Sequence, residues 1–328
     1  MSLLYKVSVC YAGKFADPDI RQFIAEKFDL AIIDAYFQGA AEVKEINPNI
    51  KIIFYADMIY MHATSPAWEE VNQHEDWFLH DINGNRLVNK TYGAYLMNPA
   101  SSGWAIFYTD GITKMLSNFP DLDGVFADDA GPIWRDVFTV PKEQVPEFPS
   151  WHDDIKAFLN YVKGRIGVSR MLIPNAGSYV DLATVADGIM VEHAFHNLSS
   201  GPTQFLSNPI KILEGISTYA SLFAANKKAM LLLSGCTTEN PQIQKYTLAA
   251  SLLGAEYTTV YGWNFIYRPS KGWFPEMGIE TGAPLGPYYQ DGDLYKRDFE
   301  QAEVSVDFVN HVGSIKKKGM KNWLHSPQ

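Results

Sequence analysis

Carboxylates recur in this sequence where a short apolar run ends. LAIIDAYF carries Asp34, KIIFYADMIY carries Asp57, GVFADD carries Asp128 and Asp129, and GIMVEH carries Glu192 followed by His193. Neutral polar or aromatic residues close other runs: Asn175 after MLIP, Ser234 after AMLLL, and Trp263-Asn264 after YTTVYG. A charge at the end of a buried run is costly unless it is paired or solvated, so acids repeated at one structural level call for a common reason. A facing pair of carboxylates is what glycoside hydrolysis needs. One protonates the leaving oxygen; the other attacks as nucleophile or activates water.

Side-chain alternation selects within the set. In 124–129, Phe126 and Asp128 share one face, and Val125, Ala127 and Asp129 share the other. A bulky Phe126 filling an interior would put Asp128 over its centre and Asp129 at the rim. Met190 and Glu192 share a face by the same rule. Asp128, as nucleophile or base, and Glu192, as general acid, are therefore the candidate catalytic pair. Asp34, Asp57, Asp129, Trp134, Asn175, His193, Trp263 and Asn264 are candidate substrate-binding residues. Plainer roles compete: rim hydrogen bonds for Asp34 and Asp57, a loop cap before Gly131 for Asp128, a structural ion pair for Glu192.

The elements that must position these residues alternate along the chain. Apolar runs at 5–11, 30–37, 51–60, 124–127, 171–174, 188–191, 229–233 and 257–261 read as strands. Asp17-Pro18, Asn98-Pro99 and Asn240-Pro241 read as helix starts, with a cap followed by proline in the first turn. A shorter helix is expected at 178–186. Strand and helix alternating eight times predicts an α/β fold, a (β/α)8 TIM barrel, whose strand ends share the face on which such barrels build their sites. The Asn83-Gly84 turn signal predicts a rim hairpin near 77–97. Residues 294–308 read as a pair of β segments. The expected division is a catalytic barrel over 1–285 and a small C-terminal β addition with its tail over 286–328.

Three segments resemble a known group. WFLHDINGN at 77–85, followed by Leu96-Met97-Asn98-Pro99, DGVFADD at 123–129, and LYKRDFE at 294–300 are similar to motifs of hypothetical glycosyl hydrolase-like TIM-barrel families. Those families are relatives of the polygalactosaminidase and α-amylase/α-galactosidase kinds of barrel. The resemblance implies a catalytic Asp at the end of strand four, which Asp128 matches, and an acid from a later strand, where Glu192 stands. The last motif departs from the pattern: Gln301-Ala302 replaces the usual Gly, and Asp307 the usual Asn.

Composition narrows the alternatives. The chain has 328 residues and a net charge of -10, which argues against a nucleic-acid partner. Its basic run, Lys316-Lys317-Lys318, reads as a solvated tail. Two cysteines, Cys10 and Cys236, make no disulfide framework. No apolar run reaches the ~20 residues of a membrane span. The beginning, Met1-Ser2-Leu3, carries no signal peptide, so the expected protein is soluble, either cytoplasmic or secreted with its signal removed. Aromatic content of 14% supplies both core and possible sugar platforms. No nucleophile elbow, P-loop or dinucleotide fingerprint occurs, and no cofactor is implied. A metal-dependent hydrolase using Glu192, His193 and His196 lacks ligand spacing, so no metal is expected. The expected partner is a carbohydrate substrate, with a non-catalytic carbohydrate-binding barrel as the alternative; oligomeric state is left open.

Overall fold

The computed structural model describes residues 5–10, 13–196, 205–236, 240–265 and 272–318. Its main sheet has eight strands: β1 (Tyr5–Cys10), β2 (Leu30–Ile33), β3 (Lys51–Asp57), β4 (Gly124–Asp128), β5 (Met171–Pro174), β6 (Gly188–Val191), β7 (Ala229–Cys236) and β8 (Thr259–Phe265). Their order, β5-β4-β3-β2-β1-β8-β7-β6, is the succession of a (β/α)8 barrel. The longer helices between them are α1 (Pro18–Lys27), α2 (Gly39–Ile46), α3 (Ser102–Asn118), α4 (Trp151–Ile166), α5 (Pro209–Ala225) and α6 (Pro241–Gly254). A separate antiparallel sheet follows: β9 (Tyr289–Asp291), β10 (Leu294–Asp298), β11 (Ala302–Asp307) and β12 (Val312–Lys317). The chain divides into two compact units. One holds Cys10–Glu26 and Leu30–Val191; the other holds Met1–Val9, Lys27–Asp29 and Glu192–Gln328.

In the first unit, β2, β3, β4 and β5 run parallel in register, with Ile33 opposite Phe54, Asp57 opposite Asp128, and Ala127 opposite Pro174. A parallel bridge from Asn175 to Met190 links β5 to β6. The strands are buried on both faces, as a parallel sheet under helices requires. Helix α4 buries Ile155, Phe158, Leu159, Val162 and Ile166 on one stripe. Its first turn carries Asp153 and Asp154 and its last Lys163 and Arg165, charges that complement the helix dipole. The start of β4 is fixed by two residues. Asp123 accepts the Ile52 N–H at 2.8 Å and pairs Lys44 at 2.7 Å and Lys51 at 3.1 Å. A Cβ on Gly124 would lie 2.0 Å from the Met171 carbonyl oxygen, so only glycine lets β4 and β5 approach there.

Between β3 and α3 the chain makes an excursion. Tyr60–Met61 pairs with Tyr95–Leu96, and bridges join Phe78 to Met97 and His80 to Arg86. The DINGN turn is organised by Asp81, whose carboxylate accepts the N–H groups of Asn83 and Asn85, both at 2.8 Å.

In the second unit, β1 pairs β8 and β8 pairs β7, all parallel. Helix α6 is buried on nearly its whole circumference. It packs against β7 and β8 as well as against β10, β11 and β12 of the small sheet. A Cβ on Gly313 would fall 2.5 Å from the Lys245 carbonyl oxygen, so glycine permits this close approach of β12. Arg297 on β10, 4% exposed, donates to the carbonyls of Leu252, Leu253 and Ala255 at 3.2, 3.0 and 2.7 Å, to Gly286 O at 3.0 Å, and pairs Glu256 at 3.2 Å. It satisfies the carbonyls that α6 leaves open at its end.

Several local expectations change. The second strand stops at Ile33, four residues short of the apolar run 30–37, because Tyr36 takes a left-handed backbone with φ 55°. The segment expected as a helix at 178–186 is a 3-10 turn, Val180–Thr184. The pair of β segments at 294–308 is half of a four-stranded sheet. Lys316 and Lys317 lie on β12 rather than in a tail, and Lys318 Nζ donates to Phe299 O at 2.6 Å. Cys10 is a buried free thiol, pushed up to about 12 mainly by burial, with the Asp34 charge adding to it.

Candidate active site

The first unit gathers acids at the carboxyl ends of β3 and β4. Asp57 is the last residue of β3 and stands opposite Asp128, the last of β4. Asp128 is held by Asn175, whose Nδ2 donates to its Oδ1 at 2.8 Å. Asn175 is itself fixed by its N–H to Ala127 O at 2.8 Å. The next residue, Asp129, adopts φ 58°, a left-handed conformation that costs a non-glycine residue free energy and tends to be kept where geometry matters. Asp34 lies just past β2 and accepts the Gly13 N–H at 3.2 Å.

The titration of Asp57 is perturbed. Burial raises its carboxyl well above the usual carboxylate range, and the negative charges of Asp129 and Asp128 push the same way. Its Oδ1 accepts the N–H groups of Tyr60 at 2.8 Å and Ile59 at 3.1 Å, which opposes the rise without cancelling it. A raised acid holds its proton in the folded chain over a pH range where the unfolded chain has lost it. Stability therefore falls as pH rises from about 4 toward the folded value. Asp57→Asn keeps an acceptor oxygen for both N–H groups and cannot ionise. Its melting temperature relative to wild type is expected to climb as pH goes from about 4 to 7; a difference that is flat across that range would contradict the assignment.

Two tyrosines complete the cluster. Tyr108 on α3 donates its hydroxyl to Ala56 O at 3.1 Å, and its titration is raised by burial first, then by Asp57 and Asp128. Tyr60 is raised by burial, by Asp129 and by Asp57, while a side-chain hydrogen bond with Asn89 lowers it. Sequence reasoning missed Tyr60, Tyr108 and Asn89. Tyr60 closes the apolar run 51–60, but the strand stops at Asp57 and Tyr60 belongs to the excursion; Asn89 lies farther along it and Tyr108 inside a helix, where no strand end marks them. Of the aromatics near this unit's loops, Trp77, Phe138 and Trp151 are buried, and Trp151 Nε1 donates to Gly131 O at 3.0 Å. Trp134 is 68% exposed.

The second unit opens on Glu192, directly after β6. The following turn has left-handed backbone at His193, φ 58°, and Phe195, φ 67°. It is tied to β7: Ala194 N–H donates to Leu233 O at 3.0 Å, Ser234 Oγ donates to Ala194 O, and His196 Nδ1 donates to Gly235 O at 2.9 Å. Burial lowers His193 and His196, so both stay neutral more readily than a free imidazole. Trp263 on β8 is 1% exposed, with its ring edge-on to Phe274 at 5.9 Å. Asn264 lies on β8 opposite Gly235; its side chain is outside the described residues. Among the described residues, no three His, Cys, Asp or Glu side chains are grouped to hold a metal ion, and no helix is long and apolar enough to cross a membrane.

Comparison with known proteins agrees with this architecture. The glycoside hydrolase domain of PelA from Pseudomonas aeruginosa is similar over 84% of this chain and 98% of its own, at 14% identity and a TM-score of 0.55. An α-galactosidase from Thermus thermophilus is similar over 94% of this chain and 67% of its own, at 14% identity and a TM-score of 0.53. Ega3 of Aspergillus fumigatus, solved with galactosamine, is similar over 80% and 91%, at 12% identity and a TM-score of 0.50. At these identities the likeness is one of fold. No curated protein matches the sequence. The sequence profile of one family does match, over residues 44–303. That match takes in the excursion, the acids on β3 and β4, Glu192 and the Arg297 strand, and the chain belongs to hypothetical glycosyl hydrolase family 15.

Proposed function

We propose that the protein hydrolyses O-glycosidic bonds of an oligo- or polysaccharide, with Asp128 and Glu192 as its catalytic carboxylates. One observation carries the reading: in a member of a glycosyl hydrolase family, Asp128 ends β4 and is oriented by Asn175. In barrels of this fold the strand ends share the catalytic face, and Glu192 follows β6. Asp128 is the nucleophile or the base that activates water. Glu192 is the general acid, delivering its proton to the glycosidic oxygen as the bond to the anomeric carbon breaks. Asn175 fixes the Asp128 carboxylate in place. Asp34, Asp57, Asp129, His193 and Asn264 supply hydrogen bonds to sugar hydroxyls, while Trp134 offers ring surface; Trp263, expected from the sequence to bind substrate, is 1% exposed and packs in the core instead.

The sign of the local charge bears on the sugar. Asp129 and Asp128 act on Asp57 as negative charges, and such a field attracts a protonated amine and repels a uronate. Ega3, the similar barrel from Aspergillus fumigatus, was solved with galactosamine. A glycan containing free amino sugars fits this chain better than a polyuronate.

The test is reducing-end release from a panel holding partly deacetylated amino-sugar polymers, neutral galactans and glucans, and pectate. Release from the amino-sugar polymers and none from pectate is expected. Release confined to pectate would overturn the choice of sugar. Silence across the panel would favour the carbohydrate-binding barrel.

A further inference from the structure

The loops that leave β3 and β4 are fastened to each other. Thr139 N–H donates to Val88 O at 2.9 Å, Lys90 N–H to Val137 O at 2.9 Å, and Ile82 N–H to Gln144 O at 2.9 Å. Lys90 Nζ adds a bond to Asp136 O at 2.6 Å, and Asn89 bridges Phe138. Because the loops start from Asp57 and Asp128, this clasp makes one continuous wall on the carboxyl side of the acid cluster.

Two rings of this wall point out. Tyr92 is 61% exposed and sits in a turn closed by Gly93 N–H to Asn89 O at 2.8 Å. Trp134 is 68% exposed, one 3-10 turn before Val137, whose N–H reaches Trp134 O at 3.3 Å. Both emerge from the segment clasped by the Asn89–Phe138 bridge. The Tyr92 turn is also tied inward, since Asn89 hydrogen-bonds the Tyr60 side chain and the Tyr60 N–H is bonded to Asp57. A tryptophan this exposed adds little to the core, and a ring held on a rigid backbone loses little freedom when something stacks on it. A pyranose presents an apolar C–H face that packs on such a ring.

We propose that Tyr92 and Trp134 form the aromatic platform of a sugar subsite on this wall, away from the cleaved bond, that holds a polymeric glycan. Its part in turnover rests on the glycosidase reading; its binding does not. Affinity electrophoresis in gels cast with glycol chitosan, galactomannan, xylan or dextran tests it, in salt of about 0.5 M to screen surface charge. At least one polymer is expected to retard the wild type. Tyr92→Ala and Trp134→Ala should each weaken that retardation about tenfold. Trp134→Phe should keep most of it, and Tyr257→Ala, a control tyrosine 58% exposed in the other unit, should keep all of it. Retardation by none of the four, or retardation that both alanine variants retain, overturns the platform. Binding through these rings with no reducing-end release from the bound polymer would support the platform while sinking the glycosidase reading. Hydrolysis with undiminished retardation in both variants would do the reverse.

Discussion

Asp128→Asn is expected to lower kcat by about four orders of magnitude while leaving the protein folded. The substitution is nearly isosteric, and the amide oxygen can take the place of Oδ1 as acceptor for Asn175 Nδ2, now 2.8 Å away. It also removes one of the two charges that raise Asp57, so no new buried charge is left alone. What it takes away is the carboxylate oxygen that attacks the anomeric carbon or accepts the proton of the water that does. Steady-state rates on a polymer the wild type cleaves, with a thermal melt as a folding control, measure the effect. Wild-type product of retained anomeric configuration would assign Asp128 as nucleophile, and inverted product as base; a variant within tenfold of wild type would remove it from the mechanism.

The second large effect concerns stability. Arg297→Met should destabilise the protein by about 3–5 kcal/mol. The arginine is 4% exposed, and its guanidinium serves the carbonyls of Leu252, Leu253 and Ala255 together with Gly286 and Glu256. Methionine fills the volume but leaves these acceptors buried without a donor and the Glu256 carboxylate without its cation. Lysine does not rescue the site, because a single ammonium cannot fork across several carbonyls as a planar guanidinium does. Urea unfolding of both variants measures the loss; a change under about 1 kcal/mol would mean that water or neighbouring N–H groups take over the carbonyls.

These two residues show what was legible in the sequence. The barrel could be read because apolar strands and capped helices alternate, and every strand after the first announces its end with a polar residue. Asp57 and Asp128 were found that way and stand opposite each other in register. The motif DGVFADD mixes two jobs: Asp123 and Gly124 build the start of β4, and Asp128 offers the chemistry. LYKRDFE marked the small sheet, yet the task of Arg297 depends on carbonyls more than forty positions away, which no local pattern encodes. Tyr60, Asn89 and Tyr108 were missed for the same reason: what brings them to the acids is the path of the excursion and the packing of α3. The early end of β2 turns on the backbone of Tyr36, a residue type whose left-handed conformation nothing in the sequence signals.

The aromatics divide along similar lines. Sequence offered many rings as possible platforms, and burial assigns most of them to packing. Trp104 and Trp151 also use their indole N–H groups to fix backbone, at Met58 O and Gly131 O. Tyr92, which carried no signal beyond its type, is left on the surface of the clasped loops, as Trp134 is.

A two-carboxylate glycosidase is tested most directly by reducing-end release by wild type and Glu192→Gln on the same polysaccharide across a range of pH. Release by the wild type is expected, with a fall of about 10²–10⁴-fold in the variant and loss of the alkaline limb of the rate profile that a general acid produces. Release that survives in Glu192→Gln with an unchanged profile would contradict the role given to Glu192.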